Sequence, residues 1–108
     1  MKIVYIAHPI KGDKQANLKH LGEVVQHINL TMPDILPFVP YYCDACGLDE
    51  DDPEQRKRGI NNGSYWLRRR IPSELWITGT HISEGMAAEI KICEERGIRV
   101  VDMRNELP

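Results

Sequence analysis

Two stretches of the chain hold residue types whose spacing could do chemistry. The first is Ile82-Ser83-Glu84-Gly85-Met86-Ala87-Ala88-Glu89-Ile90, which follows the apolar run Leu75-Trp76-Ile77 and the polar turn Thr78-Gly79-Thr80-His81. Ser83 reads as a helix N-cap, and Gly85 lets a ligand approach the backbone of the first turn. Free N–H groups at such a helix start favour an anion, and Glu89 follows about one turn further on. This arrangement could hold a phosphorylated small molecule and aim a carboxylate at it. The second stretch is the turn His8-Pro9-Ile10-Lys11-Gly12. There Lys11 supplies positive charge, Gly12 permits close backbone approach, and the following helix adds its N-terminal field. The spacing matches neither a dinucleotide fingerprint nor a Walker loop, and a solvated Lys in a surface turn is the competing reading.

Helical angles single out one glutamate. With Met86 at zero and about 100° per residue, Ile90 falls at about 40° and Cys93 at about 340°, the apolar face. Glu84, Lys91 and Glu95 fall at about 140–180°, the solvated face. Glu89 falls at about 300°, on the apolar flank, where a carboxylate costs desolvation energy unless it is paired or used. Two readings stay open: a rim carboxylate paired with one of Arg68, Arg69 or Arg70, and a functional group.

Other candidates read as structural. Cys43-Asp44-Ala45-Cys46 has metal-ligand spacing but offers two ligands where structural zinc takes four, and its acidic surroundings disfavour a thiolate. Neither a metal nor a cofactor is expected. His20 and His27 lie beside the apolar stripe of the first helix and read as packing residues. Arg68-Arg69-Arg70 reads as a solvated helix end.

The elements that must position these residues follow from periodicity. Residues 2–7 form a β-branched and aromatic run ended by His8-Pro9. Leu18, Leu21, Val25 and Ile28 recur at helical spacing until Met32-Pro33-Asp34. Residues 35–42 read as extended, and their prolines suit an edge strand. From Cys43 to Pro53 periodicity disappears, and Gly59, Asn61, Asn62 and Gly63 weaken the helix that Asp52-Pro53 would start. An irregular, lid-like stretch at about 43–63 is therefore expected. Residues 74–78 form a third strand, 84–96 a last helix ended by Gly97, and 98–103 a final strand. This alternation implies one α/β domain over residues 1–108: a three-layer sandwich with a parallel sheet of about four strands, order 2-1-3-4, Rossmann- or flavodoxin-like. Ligands bind such sheets beyond the carboxyl ends of the strands where the order reverses, here between strands 1 and 3, where the two stretches meet.

Composition narrows the function classes. Across 108 residues, 42% are hydrophobic and 28% charged, with a net charge of −2, which gives no electrostatic case for nucleic acid or an anionic membrane. No apolar run reaches the ~20 residues of a membrane span. Three cysteines, an odd count, argue against a disulfide framework and for a reducing cytoplasm.

In the order and spacing of Val4-Tyr5-Ile6-Ala7-His8-Pro9-Ile10-Lys11-Gly12, Glu74-Leu75-Trp76-Ile77, Ile82 to Ile90, and Gly97-Ile98-Arg99-Val100, the chain resembles the nucleoside 2-deoxyribosyltransferase-like superfamily, particularly its small bacterial and phage members. The resemblance covers most of the chain, with a looser middle third. It implies that Glu89 is a nucleophile attacking the anomeric carbon of a sugar, and that Tyr5 orients it. Members that hydrolyse deoxynucleoside 5′-monophosphates bind phosphate with a Gly-Ser-Ile-Arg-Gly-like turn after strand 1 and a Ser six residues before the nucleophile. His8, Pro9, Ile10, Lys11 and Gly12 occupy that turn here, and Ser83 stands six before Glu89, with Gly85 beside it. Glu84 would repel a phosphate there.

One family feature is missing. An Asp before the third strand acts on the leaving base, whereas this chain reads Asn61-Asn62-Gly63-Ser64-Tyr65-Trp66. The role would pass to Asn62, to a residue of the acidic loop, or to nothing, and general-acid help is commonly worth ~10²–10⁴ in rate. The resemblance thus implies an N-glycosidic bond hydrolase or deoxyribosyltransferase acting on a nucleotide or nucleoside, working as a homodimer. The alternative is a non-catalytic nucleotide-binding or sensing module of the same fold.

Overall fold

The computed structural model describes residues Met1–Pro108. Strands and helices alternate as β1 (Lys2–Ala7), α1 (Lys14–Thr31), β2 (Ile35–Phe38), α2 (Tyr41–Gly47), α3 (Pro53–Arg68), β3 (Glu74–Ile77), α4 (Glu84–Arg96) and β4 (Arg99–Asp102). Every strand pair is parallel and the sheet order is β2-β1-β3-β4, so the expected α/β architecture, a three-layer Rossmann-like fold, is the one formed. β2 is an edge strand, where Pro37, opposite Val4, removes no bond that a central strand would need.

Alternation along the strands decides which side chains reach which face. Val4, Ile6 and Trp76 pack with Leu21, Val24 and Ile28 of α1 and with Leu107. Tyr5, Ala7, Leu75 and Ile77 point the other way, onto Leu67 of α3 and Met86 and Cys93 of α4. The same period that builds the core therefore turns Tyr5 towards α3 and α4. On α1 the fully buried stripe is Leu21, Val24 and Ile28, while Leu18 and Val25 are only half-buried.

The middle third corrects the sequence reading. The extended stretch stops at Phe38, and the irregular region expected over 43–63 is two helices joined by a short link. α2 carries no apolar period of its own. It starts after Pro40, whose φ of −65° and ψ of −27° are already helical, and tertiary contacts hold it: the Tyr41 ring lies 5.7 Å from that of Tyr5, and its hydroxyl donates to the Ile6 carbonyl. α3 begins as expected, with Asp52 accepting from the Glu54 N–H at 3.1 Å and Pro53 in the first turn. It then runs unbroken through Gly59 and Gly63. Each glycine costs about 1 kcal/mol of helix propensity against Ala. Both face close neighbours: a Cβ on Gly59 would meet Leu48 Cδ1 at 3.5 Å, and one on Gly63 the Tyr5 hydroxyl at 3.5 Å. The small residues are the packed face of the helix, not its break.

α4 matches its expected bounds. Ser83 Oγ accepts from the Met86 N–H at 3.2 Å, and Gly97 closes the helix with a φ of 73°. Ser83→Ala should cost about 1 kcal/mol, seen as a lower denaturant midpoint with an unchanged slope. No helix is long and apolar enough to cross a membrane.

Candidate active site

Beyond the carboxyl ends of β1 and β3, at the reversal of strand order, lies a cavity of about 650 Å³. Tyr5 and Glu89 line it together with residues of the turn after β1, His81 of the turn after β3, and the start of α4. One face each of α2 and α3 lines it as well, with Leu48 and Glu50 of the link between those two helices. Both sequence stretches meet here.

The contact that organises the cavity joins residues 84 positions apart: the Tyr5 hydroxyl donates to Glu89 Oε2. Tyr5 is fully buried in β1, so its hydroxyl is fixed by the sheet, and Glu89 is partly buried on the cavity side of α4. Burial pushes the Glu89 carboxyl up to about 7, while the Tyr5 hydrogen bond pulls the other way by favouring the charged form. Burial, then the neighbouring Glu89 carboxylate, holds the Tyr5 phenol well above its ordinary range, and the same two causes raise Tyr41. Cys93, one turn along α4, is pushed up to about 12 by burial first and then by Glu89 and Glu94. The thiol is inert at neutral pH. Glu89 forms no ion pair, so the reading that paired it with Arg68, Arg69 or Arg70 falls. Those arginines are exposed at the end of α3, where Arg69 lies over the Tyr65 ring at 3.5 Å.

A carboxylate with a proton affinity near neutrality, oriented by a phenol, can act as a nucleophile when ionised and as a proton donor when not. Tyr5→Phe removes the hydrogen bond that favours the ionised form. The Glu89 carboxyl should then titrate at higher pH than in the wild type, which carbon-detected NMR of labelled glutamate would measure. An unchanged midpoint would mean that the phenol does not tune it.

Of the other residues named from sequence, His8, Ile10, Lys11, Gly12, Ser83 and Gly85 line the cavity. Lys11 is exposed, and Gly12 has a φ of 106°, a conformation that glycine adopts without strain. Two need correction. Pro9 is buried behind the wall, packed against Gly79. Asn62 does not line the cavity either; its amide donates to Asp44 Oδ1 at 3.3 Å, and it is Asp44 that faces the cavity. His8 contributes its ring but no free nitrogen: Nδ1 contacts the Pro9 carbonyl at 2.8 Å and Nε2 contacts His20 Nδ1 at 2.9 Å.

Sequence reasoning missed Tyr41, Asp44 and Arg56. Tyr41 and Asp44 are three apart on α2, a helix that no apolar period in the sequence announces. Arg56 begins a helical stripe with Gly59, Ile60 and Gly63 along the cavity face of α3, a signal visible in the sequence once the helix is granted. Across the mouth Arg56 reaches Glu84 at 3.6 Å, so the carboxylate expected to repel an anion is partly answered by a guanidinium. No group of three or more His, Cys, Asp or Glu side chains is arranged to hold a metal ion, and Cys43 and Cys46 are free and exposed.

Fold and site together define a parallel α/β domain with a carboxylate–phenol pair at the switch point of its sheet. The chain belongs to the DUF7768 family, described as a domain of unknown function, whose model matches residues 2–103. No curated protein matches the chain.

Proposed function

We propose that this domain binds a nucleotide or nucleoside in the switch-point cavity and cleaves its N-glycosidic bond, with Glu89 as nucleophile. The observation that carries this reading is the Tyr5–Glu89 contact on the cavity wall. In the proposed step a Glu89 oxygen attacks C1′, the C1′–N bond breaks with its electron pair leaving on the base, and water or a second acceptor resolves the glycosyl ester. The reading is supported by the cavity volume, which falls in the range of small-molecule sites, and by Lys11 and Arg56 as cations at its edge. As in the resemblance that suggested it, the working form would be a homodimer.

Asn62 stands where the resemblance calls for an acid on the leaving base, and its amide is engaged with Asp44, which favours a second reading: a module that binds the nucleotide intact. Incubation with each deoxynucleoside monophosphate, followed by chromatography, separates the two. The catalytic reading expects free base from at least one of them. Ligand-induced stabilisation with no base released would support the binding module, and neither effect would remove both.

A further inference from the structure

Apart from its histidines, the cavity is lined by four carboxylates against two cations: Asp44, Glu50, Glu84 and Glu89 against Lys11 and Arg56. Arg56 already answers Glu84 at 3.6 Å, and Glu89 takes the Tyr5 hydroxyl. Asp44 and Glu50 are left. Both are half-buried, one on α2 and one on the link after it, and neither forms an ion pair. The Asp44 carboxylate accepts from the neutral amide of Asn62, which holds it without cancelling its charge. Partly buried carboxylates that face a cavity with no cation beside them favour a ligand that brings one.

Asp44 is also tied to the reacting end. Asn62 precedes Gly63, where a Cβ would meet the Tyr5 hydroxyl at 3.5 Å, so Asp44, Asn62, Gly63 and the Tyr5–Glu89 pair follow one another along the wall. Tyr41, one turn before Asp44, donates its hydroxyl to the Ile6 carbonyl and so offers the cavity a ring rather than a donor, a surface that suits a cation. Asn62, where an acid on the leaving base would stand, carries no proton to give. A neutral base that leaves without such help loses ~10²–10⁴ in rate. A base whose ring nitrogen is already quaternised needs none.

We propose that the cavity selects an N-glycoside whose base carries a fixed positive charge, an N-alkylated purine or a pyridinium nucleotide, with Asp44 and Glu50 as counter-charges to the ring. The chemical half of this inference rests on the glycosidic reading of the site; the charge selection does not. A Glu89 oxygen forms the C1′–O bond, the C1′–N bond breaks, and its electron pair neutralises the ring nitrogen. A carboxylate and a cationic ring thus become a neutral ester and a neutral base, with no proton donated to the base. Water then hydrolyses the ester to free sugar, restoring the carboxylate and releasing a proton to solvent. The ring charge disappears as the bond breaks, so Asp44 and Glu50 hold the substrate more than the transition state, and their effect falls on KM.

Two near-isosteric pairs test the charge: deoxyguanosine monophosphate with its N7-methyl derivative, and nicotinamide mononucleotide with its dihydro form. In Glu89→Gln, which keeps the ligand intact, calorimetry should show the cationic member of at least one pair binding about tenfold or more tightly than its neutral partner. The wild type should release base from that member ~10²-fold or more faster, once uncatalysed release is subtracted. A response from the first pair alone makes the base an alkylated purine, and from the second alone a pyridinium. Asp44→Asn and Glu50→Gln should each narrow the gap several-fold, through KM. Equal binding within both pairs would overturn the inference. So would a loss in kcat on the neutral members in Asp44→Asn, which would make Asp44 the missing acid. Charge-selective binding with no base released would fault the glycosidase reading and leave the selection standing, whereas release from neutral members at equal affinity would do the reverse.

Discussion

Glu89→Gln should abolish base release while making the fold more stable in alkali. The side chain keeps its shape but loses its charge and the oxygen that attacks in the proposed step, so turnover should fall by ~10³-fold or more. The stability effect follows from linkage. The folded carboxyl titrates at about 7 against an ordinary value of 4.5, so the folded state binds the proton more tightly than the unfolded chain. Its contribution is fully present below pH 4.5, fades as pH rises through 7, and above that leaves a partly buried carboxylate costing up to about 3 kcal/mol. Glutamine carries no such cost. The variant should therefore match the wild type near pH 4 and exceed it at pH 8, a gap readable by chemical denaturation at the two pH values. Wild-type turnover should rise with pH through about 7, as the nucleophile ionises. A variant that releases base as fast as the wild type would remove Glu89 from the chemistry. One equally stable at pH 4 and pH 8 relative to wild type would mean that the carboxyl is not desolvated.

The second large effect concerns backbone rather than chemistry. Gly79 follows β3 with a φ of 86°, and a Cβ there would lie 2.6 Å from Pro9 Cδ and 3.3 Å from His8 Nε2. Just before it, Thr78 ties the turn to β1, its N–H and hydroxyl both donating to the Ala7 carbonyl at 2.9 and 2.8 Å. The two turns that form the crevice are thus held in contact by the absence of a side chain. Gly79→Ala adds left-handed strain and a clash with a rigid ring, together about 2–4 kcal/mol. The melting temperature should fall by roughly 10–20 °C. Ligand binding should weaken as well, because the His8–Gly12 turn has to move. A loss below about 0.5 kcal/mol would mean that the turns can separate without cost.

What the sequence disclosed, and what it hid, follow from where each element gets its stability. α4 could be read in full because its signals are local: a Ser cap, a Gly stop, and an apolar face that put Glu89 on the flank. The parallel sheet followed from alternation, and with it the position of the crevice. α2 was hidden because its helix depends on a contact between Tyr41 and Tyr5, 36 residues apart in sequence, and not on a period of its own. At Gly59 and Gly63 propensity predicts a break in α3, because it counts the cost of glycine but not the neighbour that comes close. Asp44 was hidden with α2, and Asn62 was assigned a cavity role when its amide serves Asp44 instead. Tyr5 came from resemblance alone, since nothing in the pattern of β1 distinguishes it from the other core residues of that strand.

The most direct measurement of the central assignment is a crystal structure of Glu89→Gln with a deoxynucleoside monophosphate bound, the variant keeping the ligand intact. The expected result has C1′ within about 3–3.5 Å of the residue 89 side chain and the phosphate between Ser83 and the His8–Gly12 turn. A ligand bound in the cavity with its anomeric carbon turned away from residue 89 would contradict it.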